Sequence, residues 1–204
     1  MGGLFIVFGT LVGYTFSHIN FWTIGEGFKV ELTSININVF FIFGIALLMA
    51  LVGFIDDFLK VKAGRNLGLT PSQKFLLQFL VGLLSAYYFN YLDYDSKFYF
   101  FSGLGIEVGI IKWLIVIFFI IGITNSVNFT DGLDGLVAGS SAISFGGILI
   151  ISFWIYRHPE YYIKFIGQDF LTVEISLLIS AVAGACLGFL WWNTNPAKII
   201  MGDV

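Results

Sequence analysis

Six long apolar stretches, divided by short polar connections, restrict this chain more than any other feature. They run over about residues 3–17, 37–55, 75–92, 111–127, 137–156 and 173–192. A bilayer core about 30 Å thick asks for roughly 20 apolar residues in a helix, a length that most of the stretches reach or approach. Backbone groups in lipid must pair within the chain, so each stretch is expected to be a helix, and no alternating pattern suggests a barrel. Only 11% of the 204 residues are charged and 58% are hydrophobic, whereas soluble domains carry about 25% charged residues. The expected fold is therefore all-α: a polytopic integral membrane helical bundle of about six transmembrane helices, one membrane domain over residues 1–204. Gly44, Gly82, Gly146, Gly147, Gly184 and Gly188 are expected to let helices approach closely.

A net charge of -3 with no long basic run excludes nucleic acid as a partner. The single cysteine, Cys186, sits in an apolar run and reads as a buried small hydrophobe with no disulfide or zinc partner. The first residues lack a basic region and a cleavage site, so no signal peptide is expected.

Six crossings would put residues 56–74, 128–136 and 193–204 on one side and 18–36, 93–110 and 157–172 on the other. The dense basic cluster Lys60, Lys62, Arg65 and Lys74 makes the first side cytoplasmic by the positive-inside rule. Lys62, Arg65 and Lys74 themselves read as membrane-surface anchors. The acids of the other side, among them Glu107, Glu160 and Glu174, read as solvated loop residues, and His18 and His158 as ordinary surface residues.

Three polar motifs fall on the cytoplasmic side. Asp56-Asp57 with Lys60 follows the second apolar run, and Lys60 can share a helix face with either acid. Two carboxylates beside a cation suit phosphate chemistry. In the second motif, Asn125, Asn128, Asp131 and Asp134 are spaced by threes, and Gly132 and Gly135 are expected to distort the helix. Amide and carboxylate oxygens are hard ligands suited to Mg²⁺. The third motif runs from Asn193 to Asp203, after the interfacial pair Trp191-Trp192. Carboxylates beside hydrocarbon are costly, which favours a functional reading of all three.

Taken together, the motifs resemble the polyprenyl-phosphate sugar-1-phosphate transferase superfamily, and within it the phospho-N-acetylmuramoyl-pentapeptide transferase branch. The resemblance spans Met1-Gly2-Gly3 through the Asn125–Leu136 string to Gly202-Asp203-Val204. Lys60, where hexosamine-phosphate transferases typically carry Asp, and Ser72-Gln73-Lys74-Phe75 point to that branch. The resemblance implies attack by undecaprenyl phosphate on UDP-N-acetylmuramoyl-pentapeptide, giving lipid I and UMP, with Mg²⁺ as cofactor. It implies catalytic roles for Asp56, Asp57 and Asp131, metal ligation by Asp203 and Asn125, and substrate binding by Lys60, Asn128, Asp134 and Asn193. It further implies a multi-pass protein of the bacterial plasma membrane, with membrane lipid and, as an option, a second copy in a homodimer as partners. Members of the family carry further helices and a histidine-rich motif, which neither His18 nor His158 replaces. The chain is accordingly expected to be an internal fragment, incomplete at both ends and inactive alone. Three alternatives stand beside this reading: a hexosamine-phosphate transferase of the same superfamily, an ion-coupled transporter and a non-catalytic membrane scaffold.

Overall fold

The computed structural model describes residues 2–20, 31–33, 35, 37–64, 68–91, 97–100, 104–107, 109–161 and 169–204. Its long helices are α1 (Gly3–Ser17), α2 (Ile37–Ala63), α3 (Pro71–Tyr91), α4 (Ile111–Thr130), α5 (Leu136–Arg157) and α6 (Asp169–Asn193). Each covers one of the apolar stretches. Among the described residues, four are long and apolar enough to cross a bilayer: α2, α4, α5 and residues Val173–Asn193 of α6. The shorter α1 is apolar but has 15 residues. Helix α3 has the length but carries Ser72, Gln73, Lys74, Gln78, Ser85 and Asn90. Large apolar side chains such as Phe5, Phe8, Phe118, Ile143 and Trp191 face outward, as expected where lipid replaces water as the solvent.

Two connections expected to be plain loops contain antiparallel ladders: β1 (Ile19–Asn20) with β2 (Glu31–Leu32), and β3 (Lys97–Phe100) with β4 (Leu104–Glu107). The aromatic run before Ser102-Gly103 explains the second, because Phe and Tyr suit a pleated strand. Glu26, Asp93 and Asp95 lie outside the described residues, as does Arg65 of the basic cluster.

Helix α6 packs against both α5 and α1, α1 touches α2, α2 lies on α3, α3 on α4, and α4 meets α5. Close approach comes largely from glycines other than those expected. Gly9 and Gly13 of α1 face Ala185 and Ala181 of α6, and a methyl group on either would crowd the alanine. Gly82 does sit at a contact, against Ile117 of α4. At Gly44, Gly146, Gly147, Gly184 and Gly188 an added Cβ would meet no atom of another described element within 4 Å. Periodicity marks the apolar runs but not which side of each run meets protein.

Two apolar clusters sit at opposite ends. Tyr14, Val39, Phe43 and Leu178 join α1, α2 and α6 at one end. Val137, Ala138, Phe189 and Met201 join α5, α6 and the C-terminal segment at the other. Beside the first cluster, the reading of His18 and Glu174 as solvated is corrected: each is 3% exposed. The Tyr14 hydroxyl donates to Glu174 Oε2 (2.7 Å), and His18 Nε2 lies 3.4 Å from the same oxygen. A carboxylate that α6 carries into the bundle must be met by polar partners, and α1 supplies them.

Candidate active site

The three motifs converge at the second end. Helix α2 runs past its apolar stretch to Ala63, so Asp56, Asp57 and Lys60 are helical and share the intended face. Asp56 is 3% exposed and Asp57 9%. The chain re-enters at α3 through a capping box: Thr70 Oγ1 accepts from Gln73 N (3.3 Å), and Gln73 Oε1 accepts from Thr70 N (3.0 Å). Pro71 fills the first helical position, where no N–H is needed. This start aims Lys74 at the carboxylates. Helix α4 delivers Asn125 and Asn128 from its last turns, then stops before Asp131.

The segment after α6 has no regular structure, and its backbone is tied down by polar groups of other elements. Gly2 N and Gly3 N donate to the carbonyls of Ile200 (3.0 Å) and Met201 (2.9 Å). Asp134 Oδ2 accepts from Ala197 N (3.0 Å) and Asp131 Oδ2 from Gly202 N (3.3 Å). Asn193 accepts from Gly135 N (3.0 Å) and donates to the Ile199 carbonyl (2.9 Å). Gly202, at φ 80, makes the left-handed turn that brings Asp203 inward. Asp203 N then donates to Asp57 Oδ2 (3.0 Å). The backbone of Asp203 and Val204 lies directly on Gly53 of α2, with no room for a Cβ there. Gly53→Ala is expected to cost about 1–3 kcal/mol as overpacking, measured as a lowered melting temperature in detergent. An unchanged melt would mean that the segment does not rest on α2.

At the centre, Lys60 Nζ touches three carboxylates: Asp56 Oδ2 at 2.7 Å, Asp203 Oδ2 at 2.7 Å and Asp57 Oδ1 at 3.6 Å. Lys74 Nζ lies 2.9 Å from Asp203 Oδ2 and 3.6 Å from Asp56 Oδ2. The reading of Lys74 as a surface anchor is thereby corrected. The orientation of the Asn128 amide that satisfies both neighbours turns its nitrogen to Asp203 Oδ1 (2.9 Å) and its oxygen to Lys74 Nζ (2.9 Å). Asp56 Oδ1 accepts from Leu69 N (2.7 Å). Burial pushes the Asp203 carboxyl up, but the bonds from the Lys60 and Lys74 ammoniums outweigh it and hold Asp203 well below the usual carboxylate range. Burial pushes the Asp131 carboxyl above that range. The Gly202 N–H pulls it back, while the nearby Asp203 and Asp57 carboxylates add to the rise.

A cavity of about 630 Å³ opens beside this cluster, a volume typical of small-molecule sites. Of the expected site residues, Asp56, Lys60, Asn125, Asn128 and Asp203 line it, together with Lys74, Gln78 and Phe75. Asp57, Asp131, Asp134 and Asn193 stand behind the lining, holding the segment that carries Asp203. Gln78 escaped notice because one amide in an apolar run gives little signal. Asp56, Asp57 and Asp203 each offer an oxygen within 4.8 Å of the others. Three hard oxygens so grouped fit Mg²⁺ or Mn²⁺, which bind few carboxylates and keep water or phosphate in their remaining positions.

The family model described as glycosyl transferase family 4 matches residues 39–204. The chain belongs to this family. Its relatives include the phospho-N-acetylmuramoyl-pentapeptide-transferase of Nocardia farcinica, 38% identical over the whole chain. Proteins of the same name from Frankia casuarinae and Salinispora arenicola are 38% and 34% identical over the whole chain. The chain spans 58%, 58% and 60% of these three proteins respectively. The three polar motifs therefore lie inside the matched region, with Met1–Asn38 covered by the relatives alone.

Proposed function

We propose that this chain supplies the catalytic end of a membrane transferase that moves phospho-N-acetylmuramoyl-pentapeptide from its UDP derivative to undecaprenyl phosphate, giving lipid I and UMP. The observation that carries the reading is the meeting of Asp56, Asp57 and Asp203 with Lys60 and Lys74 beside one cavity at the helix ends. One substrate is water-soluble and anionic and the other is held in lipid, so the chemistry belongs where helices leave the membrane. The end position also disfavours an ion-coupled transporter, whose site lies near the bilayer midplane. Further support comes from the names of the relatives. In this reading the bundle crosses the bacterial plasma membrane six times, with the cavity open to the cytoplasm.

Asp203, with Asn125, would hold Mg²⁺, whose positive charge neutralises the diphosphate. Asp56 and Asp57 would orient the lipid phosphate, with Asp131 supporting the segment that carries Asp203. Lys60 and Asn128 would bind the nucleotide-sugar phosphates. Asp134 and Asn193 act on the substrate through the segment they hold. Positioning and charge neutralisation carry most of phosphoryl-transfer catalysis, so no strong base is required.

The test joins residues 1–204 to the remaining part of the Nocardia farcinica relative and measures UMP release in membranes with Mg²⁺ and undecaprenyl phosphate. Release is expected with UDP-N-acetylmuramoyl-pentapeptide and not with UDP-N-acetylglucosamine. Release with the second donor alone would convert the assignment to a hexosamine-phosphate transferase, and release with neither would end it.

A further inference from the structure

We infer that Gln78 is a positioning residue that holds the Asn125 amide with its oxygen toward the cavity. Gln78 is 2% exposed, among the largest fully buried side chains of the described residues. Asn125 Nδ2 donates to Gln78 Oε1 and to the Ile121 carbonyl, both at 2.8 Å. A main-chain carbonyl only accepts, so the Asn125 atom facing it is the nitrogen, and the Gln78 atom facing that nitrogen is an oxygen. Both amide hydrogens of Asn125 are thereby used. Its Oδ1 is the group left for the cavity that both residues line.

The pair is one rung of a polar ladder between α3 and α4. Lys74 with Asn128 is the other rung, and it ends on Asp203. Lys74 and Gln78 are spaced i,i+4 and Asn125 and Asn128 i,i+3, so the rungs stack along the helix pair. One turn further from the site, Gly82 admits Ile117 of α4 at close range, which brings the helices near enough for the amides to bond. Removing Gln78 leaves an Asn125 N–H unsatisfied in a half-buried place, a cost that side-chain rotation would relieve by turning Oδ1 away.

The inference rests on the proposed function only for what Oδ1 meets, a divalent cation or its bound water. Two measurements on the detergent-solubilised chain separate the parts. The first is hydrogen exchange of the Asn125 side-chain amide by NMR, which needs no metal. The second is Mn²⁺ binding by electron paramagnetic resonance. Gln78→Met is expected to speed exchange by about tenfold, the loss of one hydrogen bond, whereas Gln78→Glu keeps an acceptor and the protection. Gln78→Met is also expected to weaken Mn²⁺ binding by about tenfold, as for other residues that orient a ligand. In an Asn125→Asp background either oxygen can face the cavity, so the same change is expected to alter Mn²⁺ binding by less than about twofold. Equal losses in both backgrounds, or an unprotected Asn125 amide in the unaltered chain, would overturn the inference. Protection that depends on Gln78 without any Mn²⁺ binding would uphold the positioning role and count against the metal site of the proposed function.

Discussion

Asp203→Asn is expected to lower transfer by the joined enzyme on the order of 1,000-fold, comparable with the loss of a principal charge-stabilising group. The side chain is the hub of the cluster. Its two oxygens meet Lys60 and Lys74 on one side and the Asn128 amide on the other. It also supplies one of the three oxygens that converge within 4.8 Å. An amide in its place keeps the shape but brings no charge and offers one acceptor oxygen where the carboxylate has two, so the lysines and the Asn128 N–H can no longer all be met. Mn²⁺ binding by the chain is expected to disappear in the same variant, while helix content by circular dichroism stays unchanged. Retention of both binding and transfer would remove Asp203 from the site.

Lys60→Met is expected to have effects of opposite sign on binding and turnover. The ammonium contacts Asp203 and the Asp56 and Asp57 carboxylates grouped with it, so it offsets the negative charge that would attract a dication. Unit charges 4 Å apart interact by about 4 kcal/mol at an effective dielectric of 20. The Lys60 side chain is 33% exposed, so solvent screening and side-chain entropy reduce this to a smaller net effect. Mn²⁺ binding by the chain is accordingly expected to tighten about tenfold, a fraction of the full Coulomb term. Transfer is expected to fall about 100-fold, because a cation that can meet substrate phosphate is lost. Lys62→Met serves as the control, since Lys62 is exposed on the same helix. If binding and transfer fell together, Lys60 would be a support of the metal site rather than a competitor for its ligands.

Much of the site was legible because its residue types are out of place in hydrocarbon. Asp56, Asp57, Asn128 and Asp203 stand out against apolar runs, and an up-and-down reading of the runs sends their motifs to one end. The structure brings those side chains together. Lys74 was also visible, but as part of a basic cluster that signalled sidedness. Its pairing with Asp203 depends on the α3 capping box and on the turn at Gly202, neither of which a charge count contains. Gln78 and Glu174 were hidden for another reason. A lone polar residue in a long segment gives no pattern, and its meaning depends on which neighbour faces it.

Long unbroken apolar runs determined that this chain forms helices in lipid, because a helix pairs its backbone groups within one segment, and the closed barrel, the other arrangement that satisfies them, would need an alternating pattern that the runs lack. Residue chemistry determined that one end of those helices handles charge. Only the packed structure decided which groups touch: Gly9 and Gly13 rather than the expected interior glycines set the α1–α6 approach, and His18 turned inward to Glu174. Asp131, Asp134 and Asn193 likewise came to hold a backbone segment instead of lining the cavity. Those choices rest on contacts between residues far apart in the chain, 71 positions for Asp131 with Gly202 and 160 for Tyr14 with Glu174, and such pairings arise from the mutual fit of elements rather than from local pattern.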